Sequence, residues 1–428
     1  MGYIPEVVGS LDGLGVGLAP EAAGHVFHSA HAYAHPATVH AAAAVLRRED
    51  PVHWVETATM NPFYVVTRYA DVKEIEANAS VFLNGPRSIL FTKEADEKIQ
   101  RDGHLLKMLV NMDGPEHAGH RRFVADWFRP KNLERLEVRL TELAEESVQR
   151  MIDAGGECDF AQDIAMPFPL EVVLSMLGLP ESDYPRMLTL TQEIFAPEDP
   201  EQARSPEMLA SMMATVQDFM AYFAQLSASR IASPTEDLAS AIAHGEIDGV
   251  PISIEEQIGH YALIATAGHD TTSSAMSGGM LALIEHPEQL RRLQEDPKLL
   301  DSAVEEILRW TTPVKHFMRT ATEAVEVSGT TVHAGEDVLL SYWSANFDED
   351  VFEDPFRFDI GRTPNKHLSF GFGAHYCLGA TMARRELRAL FGELIPRIKH
   401  IELAGTPVYT PATFVSGLKR LPIRYELV

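Results

Sequence analysis

The stretch from Ser253 to His286 constrains the fold more than any other, because it asks for a helix buried on nearly every side. Ser253 followed by Glu256 has the spacing of a capping box, and Pro287 marks the stop. At 1.5 Å per residue such a helix runs roughly 50 Å, enough to cross a whole domain. Its flanks, Tyr261-Ala262-Leu263-Ile264 and Met280-Leu281-Ala282-Leu283-Ile284, are apolar almost all round, the pattern of an element inside a large helical protein. The centre is different. Ala267-Gly268-His269-Asp270-Thr271-Thr272-Ser273-Ser274 collects poor helix formers where burial should exclude them. Either a kink or close helix crossing sits at Gly268, or the polar groups are there for chemistry.

The rest of the chain supplies the helical surroundings. Leu133, Leu136, Leu140 and Leu143 recur at spacings of three and four, and this periodicity dominates from about residue 115 to 310. Earlier, residues 37–50 read as a helix, Phe63 to Thr67 as a strand, and Asp71 as the cap of a helix running to Asn78. Strands return at Val325–Val327, Val338–Leu340 and Pro422–Glu426. The expected fold class is mainly α with small β-sheets, an α+β protein. With 428 residues and no linker or repeat, one large domain over 1–428 is expected, residues 1–35 forming a variable N-terminal extension.

Charge and cysteine usage narrow the surroundings. Sixty-two acidic against 36 basic residues give a net charge of −26, which opposes nucleic acid and anionic lipid as partners. The first 30 residues carry no Lys or Arg, and no run of 18 apolar residues occurs, so neither a signal peptide nor a membrane helix is expected. Two distant cysteines, Cys158 and Cys377, fit a reduced cytoplasmic chain, and Cys158 has no motif around it.

Cys377 does have one. In Phe370-Gly371-Phe372-Gly373-Ala374-His375-Tyr376-Cys377-Leu378-Gly379, glycines permit a tight backbone approach just before the sulfur. Backbone N–H groups aimed at the sulfur, and a helix beginning near Leu378, favour thiolate over thiol. A single cysteine makes neither a structural zinc site nor an iron–sulfur cluster. A hydrolytic pair with His375 and a purely structural turn remain open beside the main reading, one thiolate ligand to a haem iron.

This loop resembles the haem-binding motif of the cytochrome P-450 superfamily, with its Phe-Gly-x-Gly-x-His-x-Cys-x-Gly spacing intact. Four further segments carry the resemblance. The 253–286 helix is similar to the family's oxygen-binding helix, whose acid–alcohol pair corresponds to Asp270 and Thr271. Glu306-Ile307-Leu308-Arg309 resembles its Glu-x-x-Arg element, and Pro355-Phe356-Arg357-Phe358 its later Arg-containing segment. Met112-Asp113-Gly114-Pro115-Glu116-His117 with Arg121 is similar to its propionate-binding helix start, Gly114 replacing a proline.

The resemblance implies a haem-thiolate monooxygenase fold with haem b (iron protoporphyrin IX) and Cys377 as proximal ligand. His117, Arg121, Arg319 and His375 are the implied propionate partners, with Phe370, Gly371, Gly379 and Gly268 also lining the cofactor. Thr271 and Asp270 are the implied proton-delivery residues. Glu306, Arg309 and Arg357 are the implied structural triad. His269, beside the acid, is expected to face outward in packing.

Substrate contacts are expected from Ile89, Leu90, Phe91, Ile264, Ala267, Val314, Phe317, Phe414 and Val415, under an apolar cover from a Met-rich region, 187–225. Such walls favour a small hydrophobic substrate. Segments 264–274 and 313–321 look like the terpineol-hydroxylating branch, implying a monoterpenoid or alkyl-aromatic, with a steroid as alternative. No flavin or dinucleotide fingerprint is present, so the resemblance implies a 2Fe-2S ferredoxin and its NAD(P)H-dependent flavin reductase as electron source. Arg384, Arg385 and Arg388 are the candidate docking patch. A monomer is expected. A haem sensor or carrier is the alternative of another class, since it has no need of Asp270 and Thr271.

Overall fold

The computed structural model describes residues 17–188 and 206–428, with the backbone alone over 206–216. The chain divides into two compact units. One comprises Met1–Leu105, Gly278–Cys377 and Val408–Leu418; the other comprises Leu106–Ser277, Leu378–Pro407 and Lys419–Val428.

The first unit is built on a five-stranded sheet. Its strands run in the order Val52–Val55, Phe63–Val66, Asp337–Ser341, His316–Ala321, Phe82–Leu83. All neighbours are antiparallel except Phe63–Val66 beside Asp337–Ser341. Successive side chains leave a strand on opposite faces, so β-branched and aromatic residues feed two cores at once. Phe63, Val65, Met318 and Leu339 enter one, together with Phe27 and Tyr33 from residues 20–33 and Val39 and Leu46 from the helix Pro36–Glu49. Val66, Val338, Leu340 and Ala321 enter the other, with Val72 and Ile75 from the helix Tyr69–Ala77. That helix starts without Asp71 as its cap. Asp71 lies inside the first turn, buried, and both of its oxygens accept from the Ser328 hydroxyl.

The second unit is mostly helical. Glu137–Asp153 buries Leu140, Leu143, Val148 and Met151 along the stripe the leucine spacing predicts. Pro167–Leu177, Ile254–Ala267 and Ala380–Leu394 pack with it, and a three-stranded antiparallel sheet joins Ile398–Leu403, Pro422–Leu427 and Glu157–Asp159. Among the described residues one helical stretch, Phe160–Leu177, has the length and apolarity to cross a membrane, and 67% of it is buried within the protein.

The single long helix expected over 253–286 is two helices, Ile254–Ala267 and Asp270–Glu285. The capping box is present: the Glu256 amide donates to Ser253 Oγ at 3.2 Å and the Ser253 amide to the Glu256 carboxylate at 2.8 Å. Gly268, at the break, lies close against the helix Pro167–Leu177: a Cβ there would stand 3.0 Å from both Ile264 O and Val173 Cγ2, so a larger residue would need that helix to give way. Met187 is buried and Met220 half-buried, while Met208, Met212 and Met213 fall where side chains lie outside the described residues.

Candidate active site

In the first unit, a short 3-10 turn, Gly373–His375, leads to Cys377, whose amide donates to the Phe370 carbonyl at 2.9 Å. The cysteine is exposed. Gly371 and Gly373 have φ of +67° and +69°, a region where other residues are strained. Both lie over the end of the Tyr69–Ala77 helix. A Cβ on Gly373 would stand 2.3 Å from Glu76 O, and one on Gly371 3.2 Å from Glu76 Oε1. Gly373→Ala therefore combines left-handed strain of about 1–2 kcal/mol with a backbone clash. The expected outcome is a lower melting temperature with reduced haem content, measured on the purified variant.

Glu76 is a site residue the sequence did not reveal. Its Oε1 accepts from Tyr342 Oη at 2.5 Å and from Arg319 Nη2 at 3.0 Å, all three side chains buried. Arg319 also donates from Nη1 to Asn84 Oδ1 and to Met318 O. Three of its five donors are thus committed to holding the base of the loop.

A second buried network braces the same loop. Arg309 Nε and Nη2 donate to the two Glu306 oxygens at 2.8 and 2.9 Å, and both side chains are fully buried. Burial pushes the Arg309 guanidinium below its usual range, and Glu306 opposes that shift. The third member is Arg362, not Arg357. Arg362 Nε lies 3.1 and 3.2 Å from the Glu306 oxygens, while Arg357 is exposed. The chain from Glu353 to Arg357 turns back on itself, and its carbonyls accept from Arg362 Nη1 and Nη2. Asn346 then carries the network onward: it accepts from the Leu368 amide at 2.6 Å and donates to Ser369 Oγ at 2.9 Å, just before Phe370.

Part of the expected substrate wall also lies in this unit. Phe317 and Phe414 pack edge to face with ring centres 5.2 Å apart, and Val314 bridges Val415. Ile89 and Phe91 are half-buried, but Leu90 is packed in the first core beside Met318 and Trp343, so alternation turns it away from its neighbours. His316, unassigned from sequence, ties these pieces together. Its Nδ1 donates to Thr413 O at 3.0 Å, and its Nε2 accepts from the Leu90 amide at 3.2 Å. Burial pushes this imidazole down to about 4, so it stays neutral in that tautomer.

In the second unit, Ile264, Ala267 and Thr271 share one stripe by their spacing of three and four, each less buried than Ala265 and Thr266 between them. The Thr271 hydroxyl donates to Ala267 O at 2.8 Å, which leaves its oxygen to accept. Burial raises the Asp270 carboxyl above its usual range, and His269 pulls it back. His269 does not face outward. Its ring is fully buried, with Nε2 3.1 Å from Met166 O and Nδ1 3.2 Å from Asp270 Oδ1. His117 is buried and Arg121 half-buried on the helix Gly114–Ala125. Gly114 takes φ +55°, which a proline ring forbids, so its substitution changes the backbone path rather than only its rigidity.

Two other features resolve as structure. Arg385 pairs with Glu137, and Arg384 and Arg388 are half-buried beside it, so these three do not form an open basic patch. Glu116, His120 and Glu256 have metal-like spacing, but Lys107 Nζ lies 2.7 and 2.8 Å from the two carboxylates and satisfies them as an ion pair.

An exposed cysteine on a glycine turn, with the chain's other thiol in the other unit, is a donor set for one axial thiolate. Gly371 and Gly373 let the loop that carries this sulfur close tightly on Glu76, and a single thiolate donor held on such a loop fits a haem iron. The arrangement defines a haem-thiolate oxidoreductase. The cytochrome P450 family profile matches residues 23–426, and the chain belongs to that family. It is similar to cytochrome P450-terp of a Pseudomonas species, 39% identical over 92% of this chain and 95% of the relative. It is 33% identical to a steroid C26-monooxygenase of Mycolicibacterium smegmatis over 89% of each. Linalool 8-monooxygenase of Pseudomonas putida is 32% identical over 89% of this chain and 94% of that protein.

Among solved structures, CYP108D1 from Novosphingobium aromaticivorans aligns with TM-score 0.89 at 38% identity, covering 96% of this chain and 99% of that one. Cytochrome P450 CYP268A2 of Mycobacterium marinum, in complex with pseudoionone, aligns at 0.84 and 34% identity over 90% and 94%. The chain is therefore a monooxygenase with haem b as cofactor, taking a hydrophobic substrate and electrons from a redox partner.

Proposed function

We propose that this chain hydroxylates a monoterpenoid or compact alkyl-aromatic, with electrons from a 2Fe-2S ferredoxin and its NAD(P)H-dependent flavin reductase. The observation that carries the reading is the exposed Cys377 on a glycine turn braced from below by Glu76 and Asn346. The family profile runs unbroken through both units, which supports reading them as one domain. The residues expected to meet the substrate, Ile264, Val314, Phe317, Phe414 and Val415, are apolar, and relatives named for linalool and for P450-terp favour a terpenoid. Burying roughly 250 Å² of apolar surface contributes about 6 kcal/mol before ordering costs, which corresponds to micromolar to submillimolar affinity. The steroid C26-monooxygenase relative keeps a steroid as the second substrate reading. The proposal includes a cytoplasmic location and a monomeric state.

Cys377 would supply the thiolate that holds the haem iron, and His117, Arg121 and His375 would meet the haem propionates, joined by the two remaining donors of Arg319. A thiolate-ligated haem supplies oxidising power because sulfur pushes electron density onto iron and favours O–O cleavage. The protein must then deliver protons singly and keep bulk water out. Thr271 holds a relay water through the oxygen its bond to Ala267 leaves accepting, and Asp270 carries protons to it from solvent.

A carbon monoxide difference spectrum of the reduced protein tests the class. A terpenoid, alkyl-aromatic and steroid panel scored by spin-state change then tests the substrate. A spectrum of nitrogen-ligated type would overturn the reading. Thr271→Ala is expected to keep consuming NADH while product per NADH falls, the lost relay costing on the order of a hundredfold in the productive step. Peroxide should rise to account for the missing product, measured alongside it. Unchanged coupling would remove Thr271 from the role.

A further inference from the structure

Ile89 and Phe91, two of the residues expected to meet the substrate, lie on a loop of the first unit whose base is closed by a buried ion pair. Arg87 Nη2 lies 3.1 Å from Asp96 Oδ2, in the first turn of the helix Lys93–Asp102. Arg87 Nη1 donates to Asp337 Oδ2 at 2.9 Å, where the strand Asp337–Ser341 begins 250 residues further on. Arg87 and Asp96 are buried and Asp337 is half-buried. Each carboxylate has a second anchor: Asn61 Nδ2 donates to Asp96 Oδ2 at 3.0 Å, and Thr320 Oγ1 to Asp337 Oδ1 at 2.6 Å. One planar guanidinium thus ties the loop to a helix and to the sheet.

The loop is tied at three further points. The Met318 amide donates to Ser88 O at 2.8 Å, the Leu90 amide to His316 Nε2 at 3.2 Å, and Arg87 Nη2 reaches Phe91 O at 3.4 Å. Residues 87, 88 and 90 are therefore engaged with the sheet and its first core, and the half-buried Ile89 and Phe91 are the members left to meet a ligand. Packing alone does not call for this arrangement. Arg87 Nε is buried without a partner among the described residues, and burying an unpaired donor costs stability. An apolar side chain of similar volume avoids that cost. What the guanidinium supplies instead is direction, because its nitrogens meet the two carboxylates in one plane.

We propose that Arg87 is a positioning residue for substrate selection: by clamping Asp96 and Asp337 it fixes the loop that presents Ile89 and Phe91, and so holds that wall to the size of a compact hydrophobe. The proposal rests on the reading that these two residues meet the substrate, and adds what keeps them in place. A flexible wall re-packs around ligands of many sizes, whereas a fixed one rejects those that do not fit. Arg87 makes and breaks no bond. It acts through the loop alone.

The test uses the haem-loaded protein and azoles, which ligate haem iron through nitrogen whatever the natural substrate is. Imidazole, 4-phenylimidazole and clotrimazole are titrated by the shift of the Soret band in the wild type, Arg87→Lys and Asp96→Asn. Lysine keeps the charge but has no fork for two carboxylates, and Asp96→Asn opens the base of the loop while leaving the Asp337 pair. In both variants the affinity for clotrimazole relative to 4-phenylimidazole should rise about tenfold over the wild type, with imidazole unchanged. Hydrogen exchange over residues 86–92 should quicken, while the helix Pro36–Glu49 keeps its wild-type rate. An unchanged affinity ratio overturns the role in selection: with faster exchange the fault lies in reading Ile89 and Phe91 as wall, with unaltered exchange in the clamp itself. Loss of imidazole binding in step with the other azoles, or loss of haem in both variants, would make Arg87 a structural residue only. Azole ligation needs no turnover and no terpenoid, so these results stand apart from the substrate class, and a protein without thiolate-bound haem fails earlier, at the carbon monoxide spectrum.

Discussion

Arg362→Ala is expected to give a protein that does not retain haem, whereas Arg357→Ala is expected to match the wild type. The contrast follows from where the two guanidinium groups lie. Arg357 is exposed, and surface charges of that kind contribute little to stability. Arg362 has 9% of its side chain exposed and meets a Glu306 carboxylate that has none. That carboxylate also accepts from Arg309, Asn365 and the Asp359 amide, so donors from its own helix and from the 359–365 segment converge on it. Two arginines balance one buried carboxylate here, and deleting one leaves carbonyl groups of residues 353–357 without their donor. Removing one partner of a buried pair typically costs about 3–5 kcal/mol, a large part of the stability of an ordinary domain.

The loss is expected to appear as missing haem because of where the network leads. Arg309 donates to Asn346 O at 2.9 Å, and Asn346 fixes Leu368 and Ser369, directly before the cysteine loop. Loosening Glu306 lets that loop wander, and a thiolate whose backbone is not held does not bind iron in one geometry. The haem-to-protein absorbance ratio and the urea midpoint measure both effects. Normal haem content in Arg362→Ala, or an equal loss in Arg357→Ala, would show that the triad is wrongly drawn.

The misplacement of that third member marks what a sequence does and does not disclose. The cysteine loop, the Ser253–Glu256 capping box and the Glu306–Arg309 pair are local patterns, because their partners lie within ten residues and backbone geometry fixes the spacing. Arg362 is 56 residues from Glu306, and which arginine turns inward depends on a chain reversal the spacing does not encode. Glu76 is hidden more completely. It sits on an unremarkable short helix and acquires its place only when residues 319 and 342 arrive beside it, more than 240 positions later. The setting of Gly268 is ambiguous in the sequence for the same reason: the Val173 that packs against it comes from a helix far back in the chain. His269 turns inward, against the outward expectation, because its ring meets the Met166 carbonyl, a partner 103 residues away.

Cys377→Ser is expected to abolish the thiolate-type carbon monoxide spectrum and substrate hydroxylation while leaving the fold intact. The separation from the Arg362 variant is what gives the result its force. The loop is positioned by backbone and neighbouring groups: the Cys377 amide bonds to Phe370 O, the glycines rest on Glu76, and Ser369 is held by Asn346. Serine accepts the same backbone, so circular dichroism and melting temperature should stay near the wild type. What changes is the donor. A free thiol has a pKa of about 8.5 and loses its proton when it coordinates a metal. A serine hydroxyl stays protonated under the same influences, and an alcohol pushes far less electron density onto iron than a thiolate does. The matched control is Cys158→Ser. Cys158 lies in the strand Glu157–Asp159, opposite Ile423, where burial pushes its thiol up to about 11. It is therefore a neutral thiol at pH 7, and its replacement should leave spectrum and activity unchanged. A Cys377→Ser protein that kept the thiolate-type spectrum would mean that the iron is held elsewhere, and the roles given to Thr271 and Asp270 would fall with it.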